Sequence, residues 1–110
     1  MSVLQAGDIV TVDFPGVQGI KRRPAVVVSS SIYHQNRPDV IVGIVTSQID
    51  RATTPTDHRL KDWQEAGLHR PSAFRTFLAT LPATAARRIG HCSDRDWQAI
   101  AECLHRAIGD

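Results

Sequence analysis

The sequence predicts a mainly β fold, a small antiparallel barrel carrying one amphipathic helix at its C-terminal end. Three observations predict it. Short β-branched runs are separated by turn residues from Gly7 to Pro82. A single stripe of apolar residues at helical spacing follows, from Trp97 to Ile108. Nowhere does strand alternate with helix in the way that builds a parallel sheet.

The first strand follows Gly7-Asp8. Val10, Val12 and Phe14 alternate with Thr11 and Asp13, so one face is buried, and Pro15-Gly16 ends it. Val17 to Arg22 reads as a mobile loop with two glycines and two cations nearby. Ala25-Val26-Val27-Val28-Ser29 is β-branched without alternation, the pattern of a strand covered on both sides. Ser30 to Asp39 reads as a polar connection, and Val40 to Thr46 as a second buried strand ending in Thr46-Ser47-Gln48. Ile49 to Asp57, rich in threonine, reads as a loop, His58-Arg59-Leu60 as a short edge strand and Lys61 to Gly67 as a turn. Ser72 to Leu81 is a long strand closed by Pro82, and Ala83 to Arg88 holds one helical turn, making about five strands in all. Gly90 then resets the chain. Ser93 suits a helix N-cap, and Asp94 and Asp96 suit the positive end of the helix dipole. Trp97, Ile100, Ala101, Leu104 and Ile108 form the apolar stripe, and Gly109 ends the helix.

At 110 residues the chain is expected to form one domain, residues 1–110, that buries roughly 65% of the surface its unfolded form exposes. Its 42% hydrophobic and 22% charged content are those of a soluble globular protein. The N-terminal MSVLQAGDIV has neither a basic start nor a long apolar run, so no signal peptide is expected. No stretch is long enough for a membrane span. Cys92 and Cys103 form neither a disulfide framework nor a Cys-x-x-Cys motif. A cytoplasmic protein without membrane association is expected.

The chemistry narrows by elimination. The five histidines, His34, His58, His69, His91 and His105, lack the paired spacing of a zinc site, so no metal and no cofactor is expected. Cys103 lies near the apolar helix stripe and reads as a packed thiol, Cys92 precedes the helix cap without a base paired to it, and Asp8 and Asp13 point to opposite faces of one strand. There is no glycine-rich phosphate loop. The thirteen basic residues are eleven Arg and two Lys, and arginine's planar fork suits phosphate, although genome-wide bias produces the same excess. Arg23 directly precedes the valine run, and Thr46 ends the next strand. If those strands pair antiparallel, a fixed cation lies beside a hydroxyl, a receptor for one phosphate. The same residues also fit a plainer role, an Arg paired with an acid and a turn threonine.

The ordered set of segments resembles the MazF/PemK-type toxins, the ribonuclease half of type II toxin–antitoxin pairs. It comprises "GDIVTVDFP", "KRRPAVVVSS", "SIYHQNRPDV", "VIVGIVTS", "GLHRPSAFRTFLATL" and "IGHCSDRDWQAI", and covers nearly the whole chain. The resemblance implies an SH3-like barrel with a C-terminal helix. It also implies a homodimer that cuts single-stranded RNA without a metal, leaving 2′,3′-cyclic phosphate and 5′-hydroxyl ends and so blocking translation. The implied partners are the RNA and a cognate antitoxin with a disordered acidic tail. Arg23 matches the family's active-site arginine, Thr46 its active-site threonine, and Arg75 a further arginine that some members use to hold the phosphate. Those members carry an acid two residues later, where this chain has Phe77; Asp13 and His34 are candidate substitutes. Lys21, Arg22, Ser47 and Gln48 are expected to bind RNA, and Tyr33 and Phe14 to stack on bases. Two alternatives share the barrel. One is a gyrase-poisoning binding protein of the CcdB type, which acts through its C-terminal helix and needs no Arg–Thr pair. The other is a toxin homologue without catalysis, of which Phe77 would be the sign.

Overall fold

A computed structural model describes residues 3–16 and 19–109, with the side chains of all of these except 14–16. Six strands form one sheet: β1 (Asp8–Gly16), β2 (Gly19–Val27), β3 (Asp39–Thr46), β4 (Asp57–Arg59), β5 (Ala73–Pro82) and β6 (Arg87–His91). Helix α1 (Ser31–Asn36) lies between β2 and β3, and helix α2 (Asp94–Ile108) ends the chain. The spatial order is β4-β5-β3-β2-β1-β6, and every pairing is antiparallel. The sheet curls into a half-barrel with α2 packed on it, the mainly β fold the sequence predicts.

Alternation explains the uninterrupted valine runs. Ile9, Val26 and Val45 face α2 and join Phe74, Ile100 and Cys103 in one core. Their neighbours Val10, Val12, Ala25, Val27, Val40 and Val42 face the other way, under Leu4, Ala79, Leu81, Ala83 and Ala86. Both faces are therefore covered, so each side chain in a run is apolar. Among the described residues no ladder joins β4 to β6. The turn after β4 bridges them instead. It packs so closely on β6 that a Cβ at Gly90 would collide with the Ala66 carbonyl.

Four sequence expectations change. Residues 19–22 belong to β2 and not to a loop, because they pair with Phe14, Pro15 and their neighbours in a long hairpin with β1; Val17 and Gln18 lie outside the described residues. The connection after Ser29 contains α1, capped by the Ser30 hydroxyl accepting from the Tyr33 N–H. The helical turn expected over Ala83 to Arg88 shrinks to a 3₁₀ turn at Ala83–Ala85, and Arg87 to His91 forms β6. The charged, glycine-bearing sequence of β6 is tolerated because it is an edge strand. On α2 the buried edge is Asp96, Ile100 and Cys103, with Trp97 and Leu104 beside it, while Ile108 is exposed. The core-facing stripe begins at a carboxylate, which sequence periodicity cannot register as core.

Asp96 is 1% exposed and fully bonded. It accepts from His58 Nε2 at 2.8 Å, the Lys61 N–H at 2.9 Å and the Asp62 N–H at 2.8 Å. Ser93 caps α2 by accepting from the Asp96 N–H and donates its own hydroxyl to Asp62, which Arg95 grips through two nitrogens. Helix, β4 and the following turn are thereby fixed together.

Candidate nucleic-acid interface

The site begins at a proline. Pro24 has no N–H to donate, and the β2–β3 ladder stops at Ala25 opposite Ile44. Beyond that point β2 stays with β1, pairing Arg23 with Val12, whereas β3 runs on beside β5 to Thr46. Continuing the β2–β3 register would set Arg23 across from Thr46. The two strands part just there, and a cleft of about 870 Å³ opens between them, with both residues in its lining. Arg23 is thus an exposed residue inside a long strand, held by the hairpin and aimed by the divergence.

The Thr46 hydroxyl is oriented. Its oxygen accepts from the Gln48 N–H at 3.0 Å, which leaves the O–H proton free to donate into the cleft. Ser47, Gln48, Lys21 and Arg22 line the same cleft. So do residues that sequence reading did not select: Arg51 on the 3₁₀ turn after β3, and His69, Arg70 and Ser72 on the segment before β5. The described lining has five Lys or Arg residues and no Asp or Glu. Among the described residues, no acidic side chain pairs with Arg23, Lys21, Arg51 or Arg70. A concave wall of one sign focuses the field and concentrates anions.

Arg75 lies apart from this lining. It borders a smaller hollow of about 380 Å³, shared with Thr46, Asp57 and Phe77, so Thr46 stands between the two depressions. Asp13 is exposed and ion-paired to Arg22 at 3.1 Å, tempering that cation's charge. Tyr33 and His34 are carried away from the cleft on α1. His34 Nε2 lies 2.6 Å from Ser29 Oγ and borders a different hollow, with Leu4 and Pro38. The Ser30 cap that starts α1 is what turns them there. The Phe14 side chain lies outside the described residues.

The cysteines stay protonated. Burial, with the charges of Asp96 and Asp8 adding to it, pushes the Cys92 thiol up to about 12, and burial also raises Cys103. Neither is a nucleophile near neutral pH. Among the described residues no three His, Cys, Asp or Glu side chains gather as a metal site. None of the described helices is long and apolar enough to cross a membrane.

Solved structures share this curled antiparallel half-barrel with its C-terminal helix. A mycobacterial endoribonuclease in complex with its cognate antitoxin superposes with a TM-score of 0.79 at 18% identity, over 96% of this chain and 95% of that one. MazF in the MazE–MazF complex of Deinococcus radiodurans gives 0.74 at 21% identity, over 99% and 98%. Mycobacterium tuberculosis toxin MazF-mt6 gives 0.74 at 20% identity, over 94% and 98%. Residues 5–108 match the family of PemK-like, MazF-like toxins of type II toxin–antitoxin systems, and the chain belongs to that family. No curated protein matches it.

Proposed function

We propose that the protein is a metal-independent endoribonuclease that cuts single-stranded RNA and thereby blocks translation. The observation that carries the reading is that Arg23 and Thr46 both line one cationic cleft whose described lining holds no Asp or Glu. Family membership and the endoribonuclease activity named for the mycobacterial protein of the same fold support it.

The chemistry follows from what the groups can do. The ribose 2′-oxygen attacks phosphorus, the O2′–P bond forms and the P–O5′ bond breaks. A proton leaves O2′ and another reaches O5′. Negative charge gathers on the non-bridging oxygens of the phosphorane. Arg23, fixed on the β1–β2 hairpin, neutralises that charge. Thr46, whose oxygen already accepts from the Gln48 N–H, donates a hydrogen bond to one of those oxygens. Arg75 approaches the same phosphate from the other side of Thr46. Lys21, Arg22, Arg51 and Arg70 hold neighbouring phosphates, while Ser47, Gln48 and His69 face the bases. A cognate antitoxin fits the same cleft through an acidic segment, in keeping with the antitoxin-bound proteins of this fold. The working form is a homodimer in the cytoplasm, an inference from the family resemblance.

Incubating the purified protein with a long single-stranded RNA in a chelating buffer tests the reading. It expects cuts bearing 2′,3′-cyclic phosphate and 5′-hydroxyl ends. Intact RNA together with blocked gyrase supercoiling would replace it with the gyrase-binding alternative.

A further inference from the structure

The geometry points to Asp57 as the positioning residue for Arg75, supplying from the neighbouring strand the carboxylate that β5 lacks at Phe77. The inference rests on reading the cleft as an RNA-cleaving site. Asp57 on β4 stands directly opposite Arg75 on β5. Its side chain is only 4% exposed, and its Oδ1 lies 3.5 Å from Arg75 Nε. The other oxygen is already fixed: Oδ2 accepts from the Thr54 N–H at 3.2 Å and from the Thr54 hydroxyl at 2.9 Å. Thr76 secures the strand alongside by donating its hydroxyl to the Thr56 carbonyl at 2.8 Å. The carboxylate therefore has one orientation, with a single oxygen turned to the guanidinium.

The bulge in β5 places Arg75 there. Gly43 pairs with Leu78 while Val45 pairs with Phe74, so extra residues on β5, Arg75 among them, leave the ladder with β3 while Arg75 keeps its place beside β4. Gly43 permits this because the Phe74 ring occupies the space a Cβ would need. Held at Nε, Arg75 keeps both terminal nitrogens free for a phosphate in the hollow it shares with Thr46. Phe77, 66% exposed in the same hollow, brings no charge to it. Burial keeps Asp57 from reaching a ribose hydroxyl, so its part is to aim the arginine.

Asp57→Asn should lower kcat for RNA cleavage on the order of tenfold and leave KM within about twofold, since misaiming one phosphate ligand weakens the transition state more than the ground state. The loss should vanish in an Arg75→Ala background, because the carboxylate acts only through that guanidinium. Losses that multiply in the double variant, or wild-type kcat in Asp57→Asn, overturn the inference. Thr54→Val, which removes one bond to the carboxylate, should show a smaller kcat loss of the same kind if Asp57→Asn does not fold; wild-type kcat there overturns it equally. Side-chain ¹⁵N relaxation makes the test independent of cleavage. The Arg75 Nε–H order parameter should fall in the Asp57 or Thr54 variant while that of Arg23 holds. An Arg75 order parameter unchanged from wild type overturns the inference even if the protein cuts no RNA, an outcome that would by itself defeat only the reading of the cleft.

Discussion

Asp96 on α2 and Arg23 on β2 are both charged residues held in place by the fold, and their surroundings are opposite. Around Asp96 each carboxylate oxygen has a donor, and water is excluded. Around Arg23 the other cations of the cleft are close, no described acid pairs with it, and the space in front is open. The first arrangement fixes α2 to β4 and the turn after it. The second leaves the Arg23 charge without an acidic partner among the described residues, a cost accepted where an anion is to be bound. Satisfaction of polar groups thus separates scaffold from site in this molecule better than residue type does.

The comparison breaks first at Arg23. Arg23→Ala should cut RNA cleavage by on the order of 10²–10³-fold, the usual effect of removing one preorganised charge-stabilising group. Its melting temperature should stay near that of the wild type, because an exposed residue without a described acidic partner contributes little to stability. Unchanged cleavage, or a large drop in melting temperature, would place Arg23 in the scaffold.

Asp96→Ala should behave in the reverse way, losing about 3 kcal/mol of stability because three donors are left unsatisfied beneath the helix. Its pH signature has a definite sign. Burial opposes ionisation of Asp96, but the Lys61 N–H, His58 and the Asp62 N–H outweigh it and hold the carboxyl below its ordinary 3.8. A carboxyl lowered in the folded state stabilises above the unfolded pKa and loses that contribution as pH falls through the folded value. Stability should therefore drop below about pH 4, and less steeply in Asp96→Asn. Equal slopes in chemical denaturation series would remove Asp96 from the acid response.

The smallest expected effect is at the far wall of the cleft. Arg70→Ala should reduce the slope of log affinity against log salt by about 0.7 for a single strand blocked by 2′-deoxy substitution, the release of one counterion fewer. An unchanged slope would take Arg70 out of the RNA path.

How much of this the sequence carries depends on distance along the chain. Strands β1, β3 and β5 were legible because apolar alternation and β-branched runs are local. So was the Ser93 cap of α2, because its partner is three residues away. Strand β6 was not, because Arg87 to His91 is a strand only by virtue of lying beside β1. Asp8 was legible only as the residue that opens the first strand. It is buried against Arg88 Nε at 3.1 Å and His91 Nδ1 at 2.8 Å, partners from the other end of the chain. In the cleft, Arg23 and Thr46 were legible as polar ends of apolar strands. Arg51, His69 and Arg70 sit in segments without periodicity, and only the folding of those segments onto the sheet brings them near, while Asp57 meets Arg75 only through the pairing of β4 with β5. The role of Pro24 was half legible. It enforces extended backbone at Arg23, but that it also ends one ladder and so opens the cleft depends on the neighbouring strand.

The central claim is that one backbone phosphate is met by Arg23 and Thr46 together. NMR titration of the protein with a short single-stranded RNA whose reacting 2′-hydroxyl is replaced by hydrogen tests it most directly. The account predicts that the Arg23 Nε–H and the Thr46 methyl resonances shift in step, at one saturating concentration, with Asp96 and His58 unmoved. Saturation with either of the two cleft resonances still at its free position would contradict it.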